Sequence, residues 1–408
     1  MKLGWTRMIW SGLAIVMACQ LGVVWASGQT VTAATAAKAA PKPRTATGRT
    51  APAVHGEQTA EQVFKRIDVL KGISVDEFMD TMGFFSASLS WNCTDCHGEN
   101  AVDNWANFAD ETPRKITARK MILMVASINK ENFGGVRNVT CFTCHRGDAR
   151  PKITPSLVLQ YSTPFEDPNE VEARANAPGQ PTADQVFDKY FEALGGAQKM
   201  AAVSTLVAKG LYSGYDSDNQ KVPVDIYAKA PGQVTTVVHA GLGDSVRVFD
   251  GTHAWIASPD RILPLLPLTG GDVIGAKIDA TLVFSTAIKQ LYPQWRVAEA
   301  TIDDKDVRVV EGVAPGQLPL KLFFDENTGL LVRALHLTNT VIGFNPTQLD
   351  FSDYREVPGV GVKVPFHRVT TWTDNQTTVD LSEVKGNVPI EAARFAQPAP
   401  APAGQIRQ

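Results

Sequence analysis

Two five-residue stretches repeat one pattern: Cys93-Thr94-Asp95-Cys96-His97 and Cys141-Phe142-Thr143-Cys144-His145. Two thiols separated by two residues, with an imidazole beside the second, suit attachment of a c-type haem. Each thiol forms a thioether to a porphyrin vinyl group and the imidazole binds the iron. A redox dithiol or half a zinc site also uses Cys-x-x-Cys, but neither requires a His after each pair. The repetition points to two covalently attached haems c, with Cys93, Cys96, Cys141 and Cys144 as anchors and His97 and His145 as iron ligands. The chain has five cysteines, and the fifth, Cys19, lies in an apolar leader. No other thiol remains for a disulfide once that leader is removed.

Each iron has a second axial position. Of the eight methionines, five follow the leader, and four of these form two pairs, Met79 with Met82 and Met121 with Met124. Each pair has helical i, i+3 spacing and precedes one motif. A thioether is a soft, neutral ligand that raises the potential of haem iron. Such a pair also fills core space beside a flat ring, so one ligand and one packing residue are expected in each. Arg114, Lys115, Arg119, Lys120, Arg137, Arg146 and Arg150 crowd the same region. Arg146, directly after His145, is the best placed to meet a haem propionate, and the others read mainly as a solvated face. His239, His253, His336 and His367 lack metal-site spacing, and His55 is a remote ligand candidate.

The elements that position these residues follow from caps and composition. Lys2 and Arg7 precede an apolar run from Met8 to Ala26, which reads as a secretory signal over 1–28, with an uncleaved N-terminal membrane anchor or a lipidated Cys19 as alternatives. Residues 29–56, rich in Ala, Thr and Pro, read as a disordered tether. Thr59 to Gln62 and Ser74 to Glu77 are capping boxes, so two helices precede the first motif. Thr112-Pro113 opens a third helix, through roughly Ile128 and ahead of Gly134-Gly135. These place a two-haem cytochrome domain over 57–160, followed by a Pro- and acid-rich linker over 161–181.

The segments Val69 to Phe78, Ala118 to Asn129 and Val139 to Gly147 together resemble the photosynthetic reaction-centre cytochrome c subunit family, over about 59–155. The resemblance implies a helix-borne Met for each haem. It assigns that role to Met82, in a Glu-Phe-x-x-x-Met pattern, and to Met121, in an Arg-x-Met-x-x-Met pattern. Members that serve reaction centres carry four haems, whereas this chain has two motifs. The stretch Lys130 to Thr140, where the family carries a His ligand to another haem, has no His. Haem ligation therefore carries over and the photochemical partner does not.

From 182 to 396 the pattern changes. Thr182 to Gln185 caps a helix, and short alternating strands then follow, such as Val222 to Lys229, Gly232 to Ala240, Ser245 to Asp250, Val307 to Glu311 and Leu320 to Asp325. Asp325-Glu326-Asn327-Thr328-Gly329 is a hairpin signal, and a helix is predicted over 272–291. The fold class expected is α+β: an all-α multihaem cytochrome c domain, then an antiparallel curved sheet with one or two helices. The sheet weakly resembles periplasmic lipoprotein-carrier half-barrels, which would allow lipid contact. Residues 397–408 read as a disordered tail.

With 408 residues, 44% hydrophobic content and a formal net charge of −3, nothing indicates a nucleic-acid partner. The expectation is a periplasmic electron carrier, not an enzyme, exchanging electrons with redox proteins, membrane-bound ones included. The competing readings are a two-haem peroxidase-like enzyme, which needs one open iron position, and a lipid- or partner-binding module that carries haems.

Overall fold

The computed structural model describes residues 57–163, 167–174, 179–259, 261 and 263–402. The predicted leader, the tether with His55, and positions 403–408 of the tail lie outside the described residues. The described chain falls within one compact unit, Ala53–Gln408.

From 57 to 161 the regular structure is helical: α1 (Ala60–Val63), α2 (Val75–Leu89), α3 (Cys93–His97), α4 (Asn100–Asp103), α5 (Pro113–Asn132), α6 (Cys141–His145) and α7 (Leu157–Tyr161). Thr59 and Gln62 form both halves of the predicted capping box, yet α1 lasts one turn, and its Phe64 stacks on Phe78 of α2. Ser74 caps α2 by accepting from the Glu77 N–H at 3.0 Å. The reciprocal bond is not made, because the Glu77 carboxyl is half-buried and faces Arg137. α5 begins at Thr112-Pro113 as predicted and runs one turn past Ile128 to Asn132. It stops before Gly134 and Gly135, whose φ values of 61° and 84° favour glycine.

Two short helices, α8 (Ala183–Ala193) and α9 (Ala197–Ala201), lead into the sheet. Its first six strands are β1 (Thr205–Ser213), β2 (Val222–Lys229), β3 (Gln233–Ala240), β4 (Gly243–Phe249), β5 (Ala254–Ala257) and β6 (Leu266–Pro267). After α10 (Gly270–Val283) come β7 (Gln294–Ile302), β8 (Lys305–Val313), β9 (Leu320–Asp325), β10 (Leu331–Asn339), β11 (Phe344–Glu356), β12 (Lys363–Trp372) and β13 (Asn375–Gly386). The helix predicted over 272–291 is thus divided, α10 giving way to a 3-10 segment, Ser285–Gln290.

All thirteen strands form one sheet in the order β6-β5-β4-β3-β2-β1-β13-β12-β11-β10-β9-β8-β7. It is two meanders joined where β1 pairs antiparallel with β13. α10 packs against β4 and β5 and also against β10. In a flat sheet β4 and β10 would stand about 34 Å apart, given ~4.8 Å per strand, while a helix is only about 10–12 Å across. The sheet must therefore curl around α10. Helix and strand approach closely because a Cβ on Gly275 would lie 2.7 Å from the His336 ring, and one on Gly271 2.7 Å from Thr338.

Strands β8, β9 and β10 bury apolar side chains on both faces. One side packs Phe187, Tyr190, Ile278, Leu322, Phe324 and Leu349 into the main core, and the other packs Val307, Val309, Phe323 and Leu335 against Val171. Part of the predicted linker provides that second cover. Lys321 Nζ donates to the carbonyls of Asn169 and Val171 at 2.8 Å, Ala173 is buried, and Arg174 bridges to Val297. Strands apolar on both faces need cover on both, so these residues pack rather than merely connect. The start of the predicted tail is also tied down, since the Ala401 N–H donates to the Pro264 carbonyl at 2.9 Å.

α2 joins the helical region to the sheet. Phe84 lies against Gly343, where a Cβ would come within 2.1 Å of its ring, and Asn345 Nδ2 donates to the Asp80 carbonyl at 2.9 Å. Asp76, 6% exposed, accepts from the Thr269 N–H at 2.7 Å and so caps the start of α10 from another helix. Burial and the neighbouring carboxylates of Asp272 and Asp80 hold Asp76 well above the usual carboxylate range.

Candidate haem sites

Both motifs fold as a single capped helical turn, which places the two thiols and the imidazole at i, i+3 and i+4 on one face. In α3, Asn92 Oδ1 accepts from the Asp95 N–H and Asp95 Oδ2 accepts from the Asn92 N–H, each at 3.0 Å. In α6, Thr140 and Thr143 exchange the same pair of bonds at 3.3 and 3.0 Å. The residue after each motif leaves the helix with positive φ, 89° at Gly98 and 50° at Arg146.

Each motif histidine is held by its inner nitrogen. His97 Nδ1 lies 2.9 Å from the Phe108 carbonyl oxygen and His145 Nδ1 lies 3.0 Å from that of Asp148. A carbonyl only accepts, so Nδ1 carries the proton and Nε2 keeps the lone pair that a metal needs. Burial pushes the His97 pKa down, and the nearby Lys115 ammonium adds to this against the opposing Phe108 bond. Lys115 Nζ itself donates to the Phe108 carbonyl at 3.0 Å. Fixing the far nitrogen on a backbone oxygen is the usual means of orienting a metal-binding imidazole.

The thiols differ in exposure: Cys93 and Cys144 are exposed, Cys96 intermediate and Cys141 buried. Burial pushes the Cys141 thiol up to about 11 and also raises Cys93 and Cys96, the opposite direction from a thiolate site. Among the described residues no group of three or more His, Cys, Asp or Glu is placed to hold a metal ion. Among those residues the two pairs do not converge into one four-ligand zinc set.

The methionines lie on α2 and α5. Met82 is half-buried beside the cluster of Leu70, Phe84, Ile122, Cys141 and Ile342, whereas Met79 is 39% exposed. Met121 is half-buried and Met124 exposed. α2 packs against α6, and α5 packs against both α3 and α6, so the two motifs share these helices. Of the exposed large hydrophobic side chains, eight lie between Met79 and Phe142, including Leu123, Met124, Phe133 and Val136. A porphyrin laid against such a surface would cover it, at roughly 1.5–3 kcal/mol per large side chain buried. The residues present fit a haem at each motif.

Several positioning residues carried little sequence signal. Asn129, buried in the last turn of α5, donates to the Val139 carbonyl at 2.7 Å and accepts from the N–H groups of Asn138 and Val139. It clamps the loop that enters the second motif; a buried Asn in a helix just before Gly-Gly was the available hint. Thr112 Oγ1 donates to the Cys96 carbonyl at 2.6 Å, tying α5 to the first motif. Ser90 Oγ donates to the Gly147 carbonyl at 2.6 Å, and the Gly147 N–H donates to the Ser88 carbonyl, tying the second motif to α2. The basic residues divide: Arg114 bonds Asp95 and stacks on Trp91, Arg119 pairs with Glu111 and Asp68, and Arg137 reaches Asn339 on the sheet. Arg146 and Arg150 stay exposed.

The sheet histidines are not brought together with the motifs. His239, His253 and His367 pair with Asp244, Asp250 and Asp380, and His336 is buried against α10 with Nε2 3.9 Å from Asp279 Oδ1. On the α10 side β10 thus presents His336 and Thr338 rather than a continuous apolar wall.

Residues 15–187 match the family model for the photosynthetic reaction centre cytochrome C subunit. The chain is 34% identical over 107 residues to the photosynthetic reaction center cytochrome c subunit of Roseobacter denitrificans, covering 24% of this chain and 27% of that one. The corresponding subunit of Thermochromatium tepidum is 36% identical over 100 residues, 23% of each chain. The match spans about a quarter of these relatives' own length. Among solved structures, a LolA superfamily protein from Nitrosomonas europaea aligns with 53% of this chain and 98% of its own at 13% identity, with a TM-score of 0.35. A DUF1329 family protein from Desulfovibrio piger gives the same coverage, identity and TM-score.

Proposed function

We propose that this protein is an exported, periplasmic two-haem c-type cytochrome that carries electrons between redox proteins, membrane-bound ones among them, and catalyses no substrate chemistry. The observation that carries the reading is the matched treatment of His97 and His145: each ends a capped Cys-x-x-Cys turn and donates Nδ1–H to a backbone carbonyl, leaving Nε2 for iron. The match of residues 15–187 to a cytochrome subunit family supports it.

Bound haem supplies reversible one-electron chemistry at its iron. The chain anchors and orients it. Cys93 and Cys96 hold one ring and Cys141 and Cys144 the other. His97 with Met82 would hold the iron of one haem and His145 with Met121 that of the other, leaving neither iron open to peroxide or oxygen. The capped turns and the Asn129 clamp keep these ligands from rearranging. The photosynthetic partner named for the relatives does not transfer, because the chain has two motifs and no His between Lys130 and Thr140.

Haem-loaded protein made in a host that matures c-type cytochromes tests the proposal. After denaturation two haems per chain should stay covalently bound, and the ferric protein should be low-spin with a sulfur-to-iron charge-transfer band. Met82→Ala and Met121→Ala should each remove part of that band. Absence of retained pigment sinks the haem assignment, and a high-spin ferric site in the unsubstituted protein favours the peroxidase-like alternative.

A further inference from the structure

One rim of the sheet meets the helical region with two hairpin turns. β11 pairs antiparallel with both β10 and β12, so β10 and β12 run the same way and their far ends lie on one edge. The β10–β11 turn (residues 340–343) and the β12–β13 turn (Thr373-Asp374) therefore stand side by side, two strands or about 10 Å apart. Each reaches a different haem motif.

A haem held by His97 and Met82 must lie between α3 and α2, and the β12–β13 turn touches both. On α2, a Cβ at Gly83, the residue after Met82, would lie 3.1 Å from Thr373 Oγ1 and 3.2 Å from Asp374 Oδ2. On α3, the Asp374 carboxylate is near enough to the Cys93 thiol to add to the burial that pushes it up. Among the described residues Asp374 has no ion pair, and Arg261, the cation that acts on it, is drawn to Asp216 at 3.6 Å. A haem held by His145 and Met121 must likewise lie between α6 and α5. Ile342 of the other turn, 4% exposed, packs in one cluster with Cys141 of α6 and with Ile122, the residue after Met121. That turn is fixed in shape, since the Thr340 N–H donates to the Gly343 carbonyl at 2.9 Å and the Gly343 N–H donates to Thr340 Oγ1 at 3.1 Å. One turn is acidic and the other apolar.

Haem iron gains a positive charge on oxidation. A nearby carboxylate stabilises the ferric form and lowers the potential, whereas apolar burial disfavours the added charge and raises it. We propose that these two turns are walls of the two haem clefts, and that Asp374 holds down the potential of the first haem while Ile342 holds up that of the second. The inference rests on the two-haem reading and gives the sheet a part in it: each cofactor is tuned by its own turn, and Asp374 and Ile342 are positioning residues that ligate neither iron.

The test is a redox titration of the full haem-loaded chain at pH 8, followed optically and by electron paramagnetic resonance so that both midpoint potentials are read from one sample. Asp374→Asn should raise one potential and leave the other in place, and Asp374→Glu should keep both. Ile342→Thr, which keeps a branched side chain and adds a hydroxyl, should lower the potential that Asp374→Asn leaves alone. Asp374 is exposed, so its two variants decide the matter even if Ile342→Thr does not fold. Two covalent haems whose potentials ignore Asp374→Asn overturn the proposal and leave the haem assignment standing, whereas loss of covalent haem from the unsubstituted chain removes both. Equal shifts in Asp374→Asn and Asp374→Glu overturn the role of charge. Movement of the same potential by Asp374→Asn and Ile342→Thr overturns the pairing of one turn with each haem.

Discussion

The helical region and the sheet solve the same problem in different ways. From 182 to 396, alternating strands meet the helices α8, α9 and α10, and side chains such as Phe187, Leu322, Val309 and Phe323 are fully buried by other parts of the chain. From 57 to 145 one modest apolar cluster centres on Leu70, Phe84 and Ile122, while Leu123, Met124, Val136 and Phe142 face outward. The sheet contains its own core. The helical region is shaped to receive one, and the proposed haems would be its missing centre.

The comparison breaks or sharpens under substitution. The largest effect is expected for Cys141→Ser with Cys144→Ser: covalent haem should fall from two to one per chain, and the helices should lose most of their protection in hydrogen exchange while β7–β11 keep theirs. Equal loss in both regions would show that the sheet also depends on the cofactor. Phe187→Ala, in the sheet core, should cost about 3–5 kcal/mol in denaturant titrations followed by sheet signals, with haem spectra changing only as the sheet melts. Gly343→Ala should cost roughly 1–3 kcal/mol, because the added methyl drives Phe84 from its seat, and should split one melting transition into two. A single sharp transition in that variant would mean that contacts other than Phe84 hold the regions together.

The smallest effect concerns pH. Burial and the neighbouring Asp272 and Asp80 carboxylates hold Asp76 well above its ordinary 3.8 in the folded chain, so above that value the unfolded chain binds fewer protons. Stability from this group is present below about pH 4 and declines as pH rises. Asp76→Asn keeps an acceptor for Thr269 and should flatten the decline above about pH 4 in thermal melts. An unchanged slope would place the titration elsewhere.

Local features were readable from residue types. Cap residues located the starts of α2, α5 and α8, and β2 and β9 begin and end where alternation and turn residues place them, because both signals act within a few residues. The Cys-x-x-Cys-His turns were readable for the same reason. What was not readable is non-local or made of backbone. Nothing in the strand pattern announces that β1 pairs with β13, or that the supposed linker covers Val307 and Phe323. The acceptors for His97 and His145 are carbonyls, which every residue has, so no side chain could reveal them. The seat of Phe84 depends on a missing Cβ at Gly343, visible only once the two segments meet.

The place of β13 has a consequence in time. The last strand among the described residues stands in the interior of the sheet, between β1 and β12, so the two meanders have no shared border until residues 375–386 arrive. The motifs emerge hundreds of residues earlier, ahead of the strand end against which α2 rests. In an exported chain that crosses the membrane N-terminus first, the proposed haem attachment can therefore proceed on helices that have no platform yet, and closing the seam is the step that gives them one.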